Sequence, residues 1–459
     1  MENFWDFKVW GSLNVFAVLL ISLLIANILR KVFPVLKISL IPTSVIGGGV
    51  LVAVAAIYKW ITGDIMFDTT FFGGSGTATL EMVTYHCLAL GFIASTFKPS
   101  KGKMTKKRTE EIFNTGVTTV ATYLLQGILG MAISLLAVFV VADFFGAAGI
   151  LLPFGYGQGT GQALNYGGIF ENDFGFVGGK SFGLTIAALG FISASLGGVV
   201  HLNVLRKKGI IEVKTHKEKT LRSEDIESEN EIPMQESIDK LTVQVALIFV
   251  AYMLAFLLMF LLGKLLPGMR SVIYGFNFLL GVLTATIVKA TLNWLNKKKI
   301  FRREQVNSFL MTRTSNFFFD VMVVAGIAAI RFGALQDYWG IVVIMGLVGL
   351  VSTYVYNYFV ARTLFKEYPQ EQFLMMFGML TGTASTGTIL LREIDEEFKT
   401  PASDNMVYQN FPAIVFGFPM MVLATMAPVQ PVLTLLILIG FFLVMNVILF
   451  RSFIFKKKK

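Results

Sequence analysis

The chain has 459 residues, of which 55% are hydrophobic and 15% charged, with 43 Phe among them. That is too apolar for a water-soluble domain, so lipid is the expected solvent. A net charge of +10 would suggest nucleic acid as the partner of a soluble protein, but here the basic residues sit in short loops between apolar runs and read as membrane orientation instead; the single cysteine, Cys87, excludes an intrachain disulfide and a cysteine-cluster metal site.

In chain order, the first apolar run, 9–29, follows Glu2 and Asp6 with no small-residue cleavage pattern, so it is expected to remain as a span rather than leave as a signal peptide. About 20 apolar residues cross the ~30 Å of bilayer hydrocarbon. Runs near that length recur at 41–60, 80–97, 117–142, 181–203, 242–262, 271–291, 315–331, 340–361, 408–427 and 431–450, which makes about 11 transmembrane helices. Two more segments, 147–168 and 373–390, are apolar but rich in Gly, Thr and Ser. They fit either spans or hairpins that enter and leave on one side.

Loop charge separates those alternatives. With both segments as hairpins and the N-terminus outside, 33 of the 39 Lys and Arg face inward; with both as spans the split is 20 against 19. The positive-inside rule therefore favours two re-entrant hairpins, the first dipping in from outside and the second from inside, with the C-terminus cytoplasmic. Trp5, Trp10, Trp60, Trp294 and Trp339 all fall near expected span ends, as an interfacial belt requires.

The one long polar stretch, 206–240, is charged and poor in aromatics, which fits a flexible cytoplasmic linker. It divides the chain into halves that resemble each other. "SVIG" at 44–47 answers "SVIYG" at 271–275, "ALGFIAS" at 89–95 answers "VAGIAAI" at 324–330, "TYLLQ" at 122–126 answers "TYVYN" at 353–357, and "QGTG" at 158–161 answers "ASTG" at 384–387. The offsets are 227, 235, 231 and 226, in unbroken order. Five spans per half is an odd number, so the second copy starts from the other side. The expected fold is an all-α integral membrane protein with an inverted repeat: 1–205 as the N-terminal repeat with its hairpin, 206–240 as linker, 241–430 as the inverted copy, and 431–459 as an added span with a basic tail.

Interrupted helices at matching places in inverted repeats point to a secondary transporter's binding site. Non-helical backbone survives at membrane depth only inside protein or beside a wet cavity. There its N–H groups can hold a carboxylate, and its oxygens can hold a hard cation. The first hairpin, "GYGQGTGQALNY" at 155–166, offers Gly155, Tyr156, Gly157, Gln158, Gly159, Thr160 and Gly161 to substrate, with Asn165 behind as an ion ligand. The second offers Gly382, Thr383, Ala384, Ser385, Thr386 and Gly387, with Thr388 toward the ion. The competing explanation is a small-residue packing face, which normally spaces its small residues by four. Gln126 and Asn357 lie mid-span at repeat-matched positions and are either ion ligands or interhelical hydrogen-bonders. Asp320, inside an apolar run, is either a cation ligand or a partner of Arg313. Arg392, Glu393 and Asp395 read as a solvated inner mouth. His86, His201 and His216 are scattered, and no HExxH or Walker motif occurs, so an enzyme is not expected.

With "FGYGQGTGQA" (154–163), "MLTGTASTG" (379–387), "IPTSVIGGG" (41–49) and the linker between inverted halves, the chain resembles the bacterial glutamate:sodium symporter family over roughly 10–430. That family is similar in fold to the 2-hydroxycarboxylate transporters. The resemblance implies a bacterial cytoplasmic membrane protein that imports L-glutamate with sodium. It further implies substrate and ions held between two hairpin tips, and a homodimer moving by an elevator-like shift, with no cofactor beyond the ion. This chain departs from the family in its last span, its length and a second loop without proline. A symporter for another carboxylate, such as a 2-hydroxy acid, is the nearer alternative, and an ion channel built on re-entrant loops the more distant one.

Overall fold

The computed structural model describes residues 3–98, 105–211, 231–233, 238–301, 303–335, 337–395 and 398–454. Most of the linker expected at 206–240, with His216, and the tail from 455 onward lie outside them. Among the described residues the structure is helical, with one isolated bridge between Glu231 and Glu304.

The longer helices are α1 (Phe7–Val32), α2 (Thr43–Thr62), α3 (Gly76–Phe97), α4 (Lys106–Ala137), α5 (Leu151–Tyr156), α6 (Gly159–Phe174), α7 (Gly179–Lys207) and α8 (Lys240–Leu265). They continue with α9 (Asn277–Lys297), α10 (Ser308–Ala328), α11 (Trp339–Leu364), α12 (Pro369–Thr381), α13 (Ala384–Arg392), α14 (Ala402–Tyr408), α15 (Asn410–Met426) and α16 (Pro431–Leu449). Nine helices among the described residues are long and apolar enough to cross a membrane, or ten if α14 and the helix after it form one bent span. The chain is thus an all-α membrane protein. α10, which carries Arg313 and Asp320, is 21 residues long but falls outside that set.

Local chemistry sets the ends. Asp6, Thr105 and Asp239 each accept a backbone N–H as N-caps of α1, α4 and α8. Thr105 starts α4 well before the apolar run expected at 117, because hydropathy marks the lipid-facing length and not where helical hydrogen bonds begin. The span expected at 271–291 is a short helix, Arg270–Gly275, followed by α9. The span expected at 408–427 is bent by 52° between α14 and α15, where Pro412 has no N–H to give to the preceding turn.

The chain divides into two compact units. The first holds Met1–Glu81, Met104–Glu212 and Val323–Lys459; the second holds Met82–Lys103 and Val213–Met322. Each takes pieces of both sequence halves. In the second unit Leu90, Ile93 and Phe97 of α3 pack against Ile248, Ala251, Ala285 and Met311. Lys289 donates to the carbonyls of Thr96 (3.1 Å) and Lys98, serving the end of α3 as a cation should. Glu231 of the linker pairs with Lys240 at 2.9 Å and accepts from Asn307 at 2.5 Å. In the first unit a core of Leu202, Ala361, Phe373, Phe377 and Leu390 surrounds α12 and α13. His201 is buried there, with Nδ1 on the Tyr354 hydroxyl (2.7 Å) and Nε2 on Gln370 Oε1 (2.9 Å), which is a packing role.

Candidate functional site

Both Gly-rich segments are helical hairpins, and both belong to the first unit. In the first, α5 stops at Tyr156, and α6 restarts at Gly159 with φ +77°, a left-handed backbone that glycine adopts without a Cβ penalty. The rings of Phe154 and Tyr166 stack at 3.8 Å. On one continuous helix, residues twelve apart would be ~18 Å apart, so the chain doubles back. In the second, α12 ends at Thr381 and α13 starts at Ala384. A Cβ built on Gly378 would lie 2.7 Å from the Gly387 Cα, so these two limbs touch backbone to backbone. None of the limbs reaches the ~20 residues a span needs.

The two tips meet. A Cβ on Gly159 would lie 3.5 Å from Thr383 Cγ2 and 3.6 Å from the Gly382 carbonyl oxygen. The N-termini of α6 and α13 therefore begin at one junction. Gln158 places no side-chain cap on α6, whereas Thr383 caps α13 by accepting the Thr386 N–H at 3.5 Å. The leading N–H groups of two helices, each with its partial positive charge, suit a carboxylate.

The expected substrate residues divide by exposure. Gln158, Thr383, Ala384 and Ser385 are accessible at the junction, and Asn165 is half-buried. Gly155, Gly157, Gly159, Thr160, Gly161, Gly382, Thr386 and Gly387 are buried and contribute backbone and spacing. Tyr156 is buried with its hydroxyl fully used: it donates to the Gly346 carbonyl (2.5 Å) and pairs with Ser193 Oγ (2.9 Å). It fastens the first hairpin to α7 and α11. Tyr123 donates to the Gly157 carbonyl at 3.0 Å.

The expected ion ligands divide as well. Gln126 on α4 donates to Thr353 Oγ1 (2.8 Å) and to the Leu380 carbonyl (3.0 Å) just before the second tip. Asn357 on α11 donates to the Thr353 carbonyl (2.9 Å) and to Thr122 Oγ1 (3.3 Å). The bonds are reciprocal, since each amide reaches the threonine four residues before its counterpart. The carbonyl oxygens of both amides are buried and find no hydrogen-bond partner, and a dry, unpaired acceptor costs about 1–3 kcal/mol. Thr388 instead donates to its own helix, at the Ala384 carbonyl (2.9 Å), and Asn165 donates to Gln162 Oε1 (3.2 Å). Asp320 lies in the second unit, half-buried, while both tips lie in the first. Arg313 stacks over Phe309 at 5.0 Å. Arg392 is exposed over Phe398, Glu393 pairs with Arg206 at 3.2 Å, and Asp395 accepts the Lys399 and Thr400 N–H groups.

Sequence reasoning missed the seat of the second hairpin. Arg108 binds Glu111 (3.0 Å) and Asn405 Oδ1 (2.9 Å). Asn405 donates to the Tyr368 hydroxyl (3.0 Å) and Gln372 Oε1 (3.2 Å), and Gln372 donates to Thr115 Oγ1 (3.1 Å). Burial pushes the Tyr368 phenol well above its ordinary range, so it stays protonated. The available signal was the threonine run of α4 at 115, 118, 119 and 122, one polar face at helical spacing.

Long apolar helices around two broken hairpins define an integral membrane protein of the transporter class. A family model described as sodium/glutamate symporter matches residues 10–382. The match covers most of the chain, which belongs to that family. It ends at the second hairpin tip, short of the expected 10–430. A search of curated proteins found no match.

Proposed function

We infer that the protein imports L-glutamate together with sodium by alternating access, holding the substrate carboxylate where the two hairpin tips meet. The approach of Gly159 to Thr383 and Gly382 carries this reading. Two helix N-termini begin at that approach, next in the chain to Gln158, Thr383 and Ser385, which supports a carboxylate held by neutral donors. Both segments act as re-entrant hairpins, the first from outside and the second from the cytoplasm, in a plasma membrane with the N-terminus outside. The reciprocal Gln126 and Asn357 bonds support an inverted relation between 1–205 and 241–430. One compact unit carrying both tips suits an elevator-like shift of a homodimer's transport bodies. Sodium and glutamate favour the same state, so each raises the other's affinity.

The test is uptake of labelled glutamate into liposomes holding the purified protein. Uptake should require an inward sodium gradient and fall about tenfold in Gly159→Ala, whose side chain is strained by the left-handed backbone at the tip. Equal uptake in choline and sodium buffers removes the coupling. Stronger competition by an unlabelled 2-hydroxy acid than by glutamate reassigns the substrate.

A further inference from the structure

The matched amides Gln126 and Asn357 raise a question of hydrogen-bond accounting. Amide nitrogen and oxygen are often interchangeable by a flip, but not here. Gln126 faces the Leu380 carbonyl and Asn357 faces the Thr353 carbonyl, and a carbonyl only accepts. The NH2 group must occupy both positions. Each amide oxygen is then directed elsewhere, buried, with no donor. Both residues are at most 1% exposed, as are Thr122 and Thr353. A buried orphan acceptor calls for a water or an ion. The hydrogen-bond partners of both amides are hydroxyls and backbone carbonyls, all neutral oxygens. A divalent ion is normally drawn by carboxylates, so this donor set fits an alkali cation better.

We propose that Gln126 Oε1 and Asn357 Oδ1 are ligands of the coupling sodium ion, and that Gln126 passes its occupancy to the second hairpin through the Leu380 carbonyl. This rests on the symport reading and gives it a coupling element. A bound ion fixes the Gln126 amide, the amide holds the last turn of α12, and that turn positions Gly382 and Thr383 for substrate. Sodium thus orders the tip before glutamate arrives. Gln126 lies on α4 and Asn357 on α11, so each sequence half contributes one of these oxygens.

The test uses the full chain, purified in detergent without glutamate, titrated with sodium chloride against choline chloride. Thermal unfolding and amide hydrogen exchange over 378–388 are the readouts. Wild type should gain stability saturably with sodium and slow its exchange. Asn357→Thr keeps a donor to the carbonyl four residues back but deletes the orphan oxygen; Gln126→Met removes the other and the Leu380 bond. Each should raise the half-saturating sodium concentration at least tenfold, and Gln126→Met should abolish the slowed exchange. Unchanged half-saturation in Asn357→Thr overturns the site, even if Gln126→Met fails to fold. A midpoint raised equally in both salts, with the sodium response intact, means that only water fills the site and also overturns it. Magnesium acting at the same concentration as sodium overturns the alkali assignment. Uptake that is sodium-independent in wild type, with sodium binding still lost in the variants, removes symport and leaves the site standing.

Discussion

The two hairpins share a shape and are closed by different means. The first is glued by a stacked ring pair, Phe154 on Tyr166, with Tyr166 also bonded to the Met421 carbonyl at 2.9 Å and Tyr156 to Gly346 and Ser193. Such a ring pair adds about 0.5–1.5 kcal/mol beyond its buried area. The second has no ring between its limbs at the matching place: Gly378 rests on Gly387. Its returning limb is also less covered, with Ala384 exposed and Thr383, Ser385, Thr388 and Ile389 half-exposed. Low packing and exposed polar positions belong to elements that open at small free-energy cost. The first hairpin is thus the more tightly packed of the two and the second the more exposed.

Substitution at the glycine contact should break this comparison most severely. A Cβ on Gly387 would lie 2.4 Å from the Met375 carbonyl oxygen, which is backbone and cannot rotate away. Overpacking of this kind costs about 1–3 kcal/mol. Gly387→Ala should cut sodium-driven uptake by more than tenfold and lower the unfolding midpoint. Uptake near wild type would mean that the limbs separate freely and need no contact at all.

A smaller effect distinguishes the packed hairpin from the exposed one by access. The one native cysteine, Cys87, is buried, so background labelling is low. Ala384→Cys should react with a water-soluble thiol reagent, and sodium with glutamate should slow that reaction several-fold. Thr160→Cys, on the buried face of the first hairpin, should stay unlabelled in either condition. Equal labelling of the two would mean that the hairpins do not differ in access.

How far the sequence reaches differs from residue to residue. The hairpin break at Gly157–Gln158 is legible because singly alternating glycines each weaken a helix by about 1 kcal/mol; the one at Gly382–Thr383, where the glycines stand at 378, 382 and 387, is legible from its Thr- and Ser-rich run and its matched place in the second half. The offset of 231 matched Gln126 with Asn357, yet their exchange of Thr122 and Thr353 depends on how α4 and α11 cross. The bend before α15 was signalled by Pro412, but hydropathy averages over such a residue. The Arg108 to Asn405 bond joins positions 297 residues apart, and no local pattern encodes it. Asp320 stood out as a lone acid in an apolar run, but composition does not say which unit a helix joins.

The smallest effect expected is at Thr388, a position whose residue type suits sodium but whose geometry does not. Its hydroxyl donates to the Ala384 carbonyl at 2.9 Å and approaches Met406 Sδ at 4.0 Å. A threonine back-bonded to its own helix has its proton committed, and its remaining lone pairs are fixed by that rotamer. The amide oxygens of Gln126 and Asn357, by contrast, have no donor. Thr388→Ala should therefore change the half-saturating sodium concentration less than about twofold, since a half-exposed hydroxyl bond contributes about 0.5–1.5 kcal/mol to stability and nothing directly to the ion. If sodium titration of uptake instead shifted tenfold or more, the ion would lie on the returning limb of the second hairpin. The more exposed hairpin would then carry the cation itself, and the difference drawn between the two hairpins would have to include where the ion sits.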